Sequence, residues 1–200
     1  MIRIDTDFSA WEGTNCYCSA EAAERIRRAV AGLPLAAFHE IGTGDCHYQT
    51  LFWIERIREP FQLVLFDNHP DDQDGAFGDE LISCGGWVAR ARRLPECRGD
   101  LWVRTAADFP AVASLPDLPV YLSVDLDVLG PDWARTDWDQ GTMTLHELRS
   151  ALEGLRDSRR LLGVDLCGGL TTEKGASPED LALNASTGEA LYDCFRDLVI

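Results

Sequence analysis

Residues 61–71 read FQLVLFDNHPD, in which the apolar run LVLF at 63–66 gives way at once to Asp67, His69 and Asp71. A run of this length bounded by polar residues suits a buried strand. Side chains two apart on an extended chain point the same way. The three residues therefore emerge together just past the strand's carboxyl end, as two carboxylates flanking one imidazole. Whether this triplet is a polar loop or part of a site depends on what other segments bring to the same edge.

Working outward, short β-rich runs alternate with helical ones, the pattern of a parallel sheet covered on both faces. Strands are expected over 2–8, 35–41, 61–66, 101–106, 120–126 and 161–166. The composition of 19–32, closed by Gly32, predicts a helix, and Leu51, Ile54 and Ile57 form one apolar stripe over 48–58. Thr144 to Glu147 has the form of a capping box, and Ser177-Pro178 sets an N-cap hydroxyl before a proline at the first helical position. The irregular loops 42–46 and 127–141 both follow strands, where open α/β sheets build their sites.

The chain has 200 residues, 46% hydrophobic and 26% charged, enough for one globular domain spanning 1–200. Its formal charge of −16 disfavours nucleic acid and anionic membrane as partners. A small-molecule substrate is expected, and a homo-oligomer is compatible with the composition. No segment approaches the roughly 20 apolar residues of a membrane helix, and the opening MIRIDTDFSA lacks the apolar core of a secretory signal. A cytoplasmic location is the expectation. Seven scattered cysteines without a CxxC pair do not suggest a disulfide framework or a structural zinc site.

Two further strand ends match the first. The segment 120–127, VYLSVDLD, ends in Asp125 and Asp127, and the strand at 35–41 runs into TGDCHYQT, which carries His47. Three parallel strands thus direct two imidazoles and four carboxylates to one edge. Without cations, each close carboxylate pair would repel by about 4 kcal/mol at an effective dielectric near 20. Two divalent ions would neutralise them, and an oxygen-rich set with one imidazole per ion suits Mn²⁺ better than zinc. Ions about 3.5–4 Å apart can hold a bridging hydroxide as a nucleophile, so the chemistry implied is hydrolysis.

These residues resemble the arginase, agmatinase and deacetylase (ureohydrolase) superfamily. Gly44-Asp45-Cys46-His47 is similar to its glycine-glycine-aspartate-histidine element with one residue inserted, Asp67-x-His69-x-Asp71 to its second element, and Ser123-x-Asp125-x-Asp127 to its third. The resemblance, over about residues 35–170, implies a three-layer αβα fold and a binuclear manganese site. It implies that His47, Asp71, Asp125 and Asp127 hold one ion and Asp67, His69, Asp71 and Asp125 the other; Asp71 or a nearby acid is expected to orient the hydroxide in catalysis. The expected activity is cleavage of a carbon–nitrogen bond in a small amide, amidine or guanidine-like substrate. The alternatives are a metal-binding pseudoenzyme with a binding or regulatory role and a mononuclear zinc deacetylase-like enzyme.

Three departures set the chain apart. Where the family has aspartate-x-x-glutamate, with the glutamate holding a guanidinium group, Asp165 is followed by Gly168, which disfavours true arginase activity. The family's shuttle histidine is missing from 77–88, FGDELISCGGWV. The chain is also shorter than the roughly 300 residues usual in the family. Of the remaining histidines, His146 belongs to a helix start and His39 reads as a satisfied core residue. Wall candidates for a substrate pocket are Asn15, Tyr17 and Cys18 after the first strand, Cys84 and Trp87 in the glycine-rich SCGGW, and Trp138 and Gln140 in the loop 136–141.

Overall fold

The computed structural model describes residues 1–74 and 80–199; Phe77, Gly78 and Asp79 of the 77–88 stretch lie outside the described residues. Six strands, β1 (Arg3–Asp5), β3 (Phe38–Glu40), β4 (Phe61–Phe66), β6 (Cys97–Val103), β7 (Val120–Asp125) and β8 (Leu161–Cys167), form one sheet in the order β1-β3-β8-β7-β4-β6, parallel throughout. All six were expected from the sequence. The outer ones are shorter or shifted, and β6 begins four residues earlier than the apolar pattern indicates. A two-stranded antiparallel pair, β2 (Tyr17–Cys18) with β5 (Ile82–Ser83), has too few residues to leave a periodic signal.

The helices are α1 (Ala20–Val30), α2 (Gln49–Ile54), α3 (Trp87–Ala91), α4 (Phe109–Ala113), α5 (Leu145–Ser158) and α6 (Pro178–Asp193). Ser19 caps α1, Thr144 forms the expected capping box with Glu147 at the start of α5, and Ser177, expected as the N-cap of α6, also forms a reciprocal box with Asp180. Helix α2 is shorter than 48–58. Its last turn tightens into i→i+3 bonds at Arg56 and Ile57 before the chain reaches Pro60.

Alternation along each strand divides the core into two layers. Leu63, Leu65 and Tyr121 pack with Ile26 of α1, Phe52 and Trp53 of α2 and Trp87 of α3. Val64, Phe66, Leu122 and Val164 pack with Leu148 and Leu152 of α5 and Leu191 of α6. The fold is therefore a three-layer αβα sandwich. Both sheet faces are covered, so the site falls at the strands' carboxyl ends. No helix among the described residues is long and apolar enough to cross a membrane.

On the α1–α3 side the sheet carries a buried polar group. Asp165 Oδ1 accepts from the Tyr121 hydroxyl at 2.6 Å and lies 2.9 Å from His39 Nδ1, while His39 Nε2 lies 3.1 Å from the Pro34 carbonyl and its ring stacks on Trp53 at 3.7 Å. His39 is thus a paired core residue, as expected. His146 is exposed in the first turn of α5.

Candidate metal centre

Strand β4 ends at Phe66, and the three groups that follow it take different positions. Asp67 is buried, with Oδ2 3.0 Å from His47 Nδ1 and Oδ1 3.5 Å from His69 Nδ1; Oδ1 also accepts from the His69 backbone N–H at 2.6 Å. Asp71 has φ +46°, a left-handed backbone unusual for a residue with a side chain, and its Oδ2 lies 3.1 Å from His47 Nδ1. Trp87 Nε1 donates to that same oxygen at 2.7 Å.

The end of β7 presents the partner groups. Asp125 Oδ1 caps the following turn by accepting from Asp127 N–H at 2.8 Å, and its Oδ2 lies 3.5 Å from His47 Nδ1. Asp127 Oδ1 accepts from the Asn68 backbone N–H at 2.9 Å, which ties this turn to the β4 motif; its Oδ2 lies 2.9 Å from His69 Nδ1. His47 stands at the end of a single turn, Gly44–Cys46, that leads into α2. Its Nε2 lies 2.8 Å from Ser123 Oγ, which orients the ring so that Nδ1 faces the carboxylates.

The state of that nitrogen tests whether the site suits a cation. His47 Nδ1 is buried and lacks a hydrogen-bond partner of acceptable geometry, although oxygens of Asp67, Asp71 and Asp125 stand 3.0–3.5 Å away. Neighbouring ligands of one octahedral ion, with bonds of roughly 2.1 Å, are about 3 Å apart. The spacing is that of donors around a shared centre, and the residues fit a divalent ion there. His69, Asp67 and Asp127 make a second such group.

The electrostatics agree. Burial, then Asp127 and Asp67, push the Asp125 carboxyl well above the usual carboxylate range, and burial also raises Asp71 and Asp127. Hydrogen bonds to Asp127 and Asp67 lift His69 to about 10. The His47 pKa, which burial alone would lower, is raised by Cys167, Asp67 and Asp71. In the absence of a cation the site holds protons where positive charge is needed.

The six residues that the sequence singles out come together at one edge of the sheet. Asp67, not Asp71, turns an oxygen to each imidazole; Asp71 faces His47, and Asp127 faces His69. Sequence order could not reveal this, because the division depends on which way each loop turns after its strand.

Above these residues lies a cavity of about 270 Å³, lined among others by Cys16, Tyr17, Gln73, Ser83, Cys84 and Trp138. Tyr17, Cys84 and Trp138 were expected there. Asn15, Trp87 and Gln140 do not line it. Asn15 is exposed one residue away, and Trp87 is fully buried beneath the site, where it holds Asp71. Gln140 turns inward to donate to the carbonyls of Leu129 and Ala134. Cys18 packs in the core.

Asp45 and Cys16 escaped sequence reasoning. Asp45 accepts from the Cys16 thiol and Trp138 Nε1, each at 3.1 Å, and pairs with Lys174, which also pairs with Asp137. This group joins four segments of the chain, around Cys16, Asp45, Asp137-Trp138 and Lys174. Burial would raise the Asp45 pKa, but Lys174 and Cys16 bring it below its ordinary value. Cys167 was also missed, and its Sγ lies 3.1 Å from Asp125 Oδ2.

Gly168 follows Cys167 with φ +100°, and a Cβ built there would lie inside the contact distance of Asp125 Oδ1 and 2.8 Å from the Leu126 nitrogen. A glutamate at 168 would displace a candidate ligand. The glycine is therefore a steric requirement of this site.

No protein-family model matches the chain. An uncharacterized protein of Thermotoga maritima is 33% identical over 64% of the chain, which spans 56% of that relative's length. Among solved structures, proclavaminate amidino hydrolase from Streptomyces clavuligerus superposes with a TM-score of 0.68 at 18% identity, over 89% of this chain and 71% of the other. The arginase of Entamoeba histolytica, solved with L-ornithine, gives 0.67 at 12% identity over 88% and 76%. Formimidoylglutamase from Bacillus subtilis gives 0.66 at 16% over 87% and 66%, and the chain spans 62% of a hypothetical agmatinase from Burkholderia thailandensis. With its sheet order, its layers and these likenesses, the chain has the arginase-type, or ureohydrolase, fold.

Proposed function

We propose that the chain is a metal-dependent hydrolase that cleaves a carbon–nitrogen bond in a small amide or amidine-type substrate. The observation that carries this reading is His47 Nδ1, buried without a hydrogen-bond partner and faced by three carboxylate oxygens at 3.0–3.5 Å beneath a substrate-sized cavity. His47, Asp67, Asp71 and Asp125 would hold an inner divalent ion, and His69, Asp67 and Asp127 an outer one. Such a pair, manganese on the oxygen-rich character of the set, generates a nucleophile from water at neutral pH and neutralises charge on the substrate.

The chain's own residues shape the rest. Ser123 and Trp87 hold His47 and Asp71 in place. The cavity wall supplies thiols, a phenol, a hydroxyl, an amide and an indole, and Asp45 at its mouth is already paired with Lys174. With Gly168 in place of a carboxylate, nothing among these wall groups is built to hold a guanidinium ion. A neutral or weakly basic substrate fits better. Among the described residues, Cys16, Tyr17 and Cys84 are wall groups with a proton to pass to the leaving nitrogen.

A second reading, a metal-binding protein with a binding or regulatory role, is favoured by the lining itself. Among the described residues its imidazoles are His47 and His69, both assigned to metal. Manganese-loaded protein assayed for ammonia, amine or urea release across amides, formamides, amidines and guanidines separates the two. Turnover that is lost in Asp125→Ala supports the hydrolase, and absence of turnover across the panel favours the binding role.

A further inference from the structure

Cys167 is placed by the sheet, not by any local motif. In the parallel pairing of β7 with β8 it stands opposite Asp125, so its side chain leaves the sheet on the same side. It is buried, and its thiol donates to Asp125 Oδ2, the same oxygen that lies 3.5 Å from His47 Nδ1. Donor atoms of His47, Asp125 and Cys167 all lie within 4.8 Å of one another. The other buried thiols on this side of the sheet turn elsewhere: Cys18 points to the Ser19 carbonyl and Cys46 to the Thr14 carbonyl.

The spacing suits coordination. A sulfur bond of roughly 2.3 Å and an oxygen bond of roughly 2.1 Å, meeting at angles from a right angle to tetrahedral, set the two donors about 3.1–3.6 Å apart; Sγ and Asp125 Oδ2 are 3.1 Å apart. Independently, the orphaned His47 Nδ1 in the same pocket calls for an electrophile. Gly168, which turns the chain away under Asp125, leaves Cys167 as the last side chain of β8 at this edge.

We propose that Cys167 is a ligand of the inner ion, and that it biases this position toward a borderline-soft divalent ion such as zinc or cobalt(II), while the outer position keeps oxygen and imidazole donors suited to manganese. The inference rests on the two-ion reading above and makes its two halves chemically unequal. A thiolate selects softer ions than a carboxylate does. On binding, the thiol proton leaves to solvent as the sulfur–metal bond forms.

Cobalt(II) is the probe. Metal-free protein loaded with cobalt should show visible ligand-field bands together with a strong near-ultraviolet sulfur-to-cobalt charge-transfer band. Cys167→Ser should keep the former and lose the latter. In dialysis against equimolar zinc and manganese, the same variant should shift occupancy toward manganese by roughly tenfold or more. The Cys16→Ser, Cys84→Ser double variant removes the thiols that line the cavity and should retain the band. Should Cys167→Ser not fold, that double variant decides alone: a retained band supports Cys167, and a lost band overturns it. Bound cobalt without a sulfur band overturns the proposal and leaves the two-ion reading standing, whereas failure to bind cobalt overturns both.

Discussion

Asp67 divides its carboxylate between two histidines, with Oδ2 3.0 Å from His47 Nδ1 and Oδ1 3.5 Å from His69 Nδ1. Asp71 approaches only the first and Asp127 only the second of these nitrogens. Asp67→Asn should therefore abolish binding of both ions, while Asp71→Asn and Asp127→Asn should each retain about one per chain. Metal analysis after gel filtration reads this directly, and two ions bound to Asp67→Asn would remove it as the shared ligand.

The crowding of charge predicts a pH dependence. Asp71, Asp125 and Asp127 are raised, first by burial, with Asp127 at about 6. An acid raised on folding contributes stability below its ordinary pKa of about 3.9 and loses it as pH rises. His69, raised to about 10 by Asp127 and Asp67, contributes fully below about 6.5 and loses its contribution as pH climbs to about 10. Asp67, held at about 2 by His47 and His69 against the effect of its burial, has the opposite sign and acts only below about pH 4. The site thus weakens the metal-free protein from about pH 4 to about pH 10. The rise in Tm on adding manganese should grow between about pH 5 and about pH 8, and a constant rise would contradict the assignment.

Gly168→Ala should cost about 1–3 kcal/mol of stability from the left-handed backbone alone, with a further loss because Asp125 must move. Gly175 has a similar φ, +93°, but open space where a Cβ would go. Gly175→Ala is thus the control for the backbone effect. Lower metal occupancy in the first variant and normal occupancy in the second is the expected result, measured beside urea denaturation.

Tyr121→Phe removes the 2.6 Å hydrogen bond to Asp165. Because Asp165 Oδ2 already lacks a partner, the loss should cost about 1–3 kcal/mol. Metal content should stay unchanged, since the Asp165 group belongs to the sheet beneath the centre. A parallel loss of bound metal would show that the two are coupled through Ser123, which neighbours Asp165 in the β7–β8 pairing.

Much of this was legible in the chain alone. The central strands β4, β7 and β8 show as apolar runs because a sheet covered on both faces leaves no polar alternation. The α5 start shows as a capping box and the α6 start as a serine cap before proline, because those hydrogen bonds span only three residues. The Asp67, His69, Asp71 and Asp125, Asp127 motifs show because each follows its own strand end. Trp87 was misjudged as a pocket wall: glycines and an indole in SCGGW do not reveal whether the ring faces the cavity or the core. Asn15 and Gln140 failed likewise, as loop residues whose direction no period governs.

Whatever depends on neighbours within a few residues, such as a strand, a cap or the Asp67-x-His69-x-Asp71 pattern, follows from local backbone geometry and can be read from amino-acid order. Which oxygen of Asp67 meets which imidazole, and that Cys167 stands opposite Asp125 from 42 residues away, was decided only in the folded molecule. Strand register is chosen by burying two whole sheet faces at once, and no segment contains that information by itself.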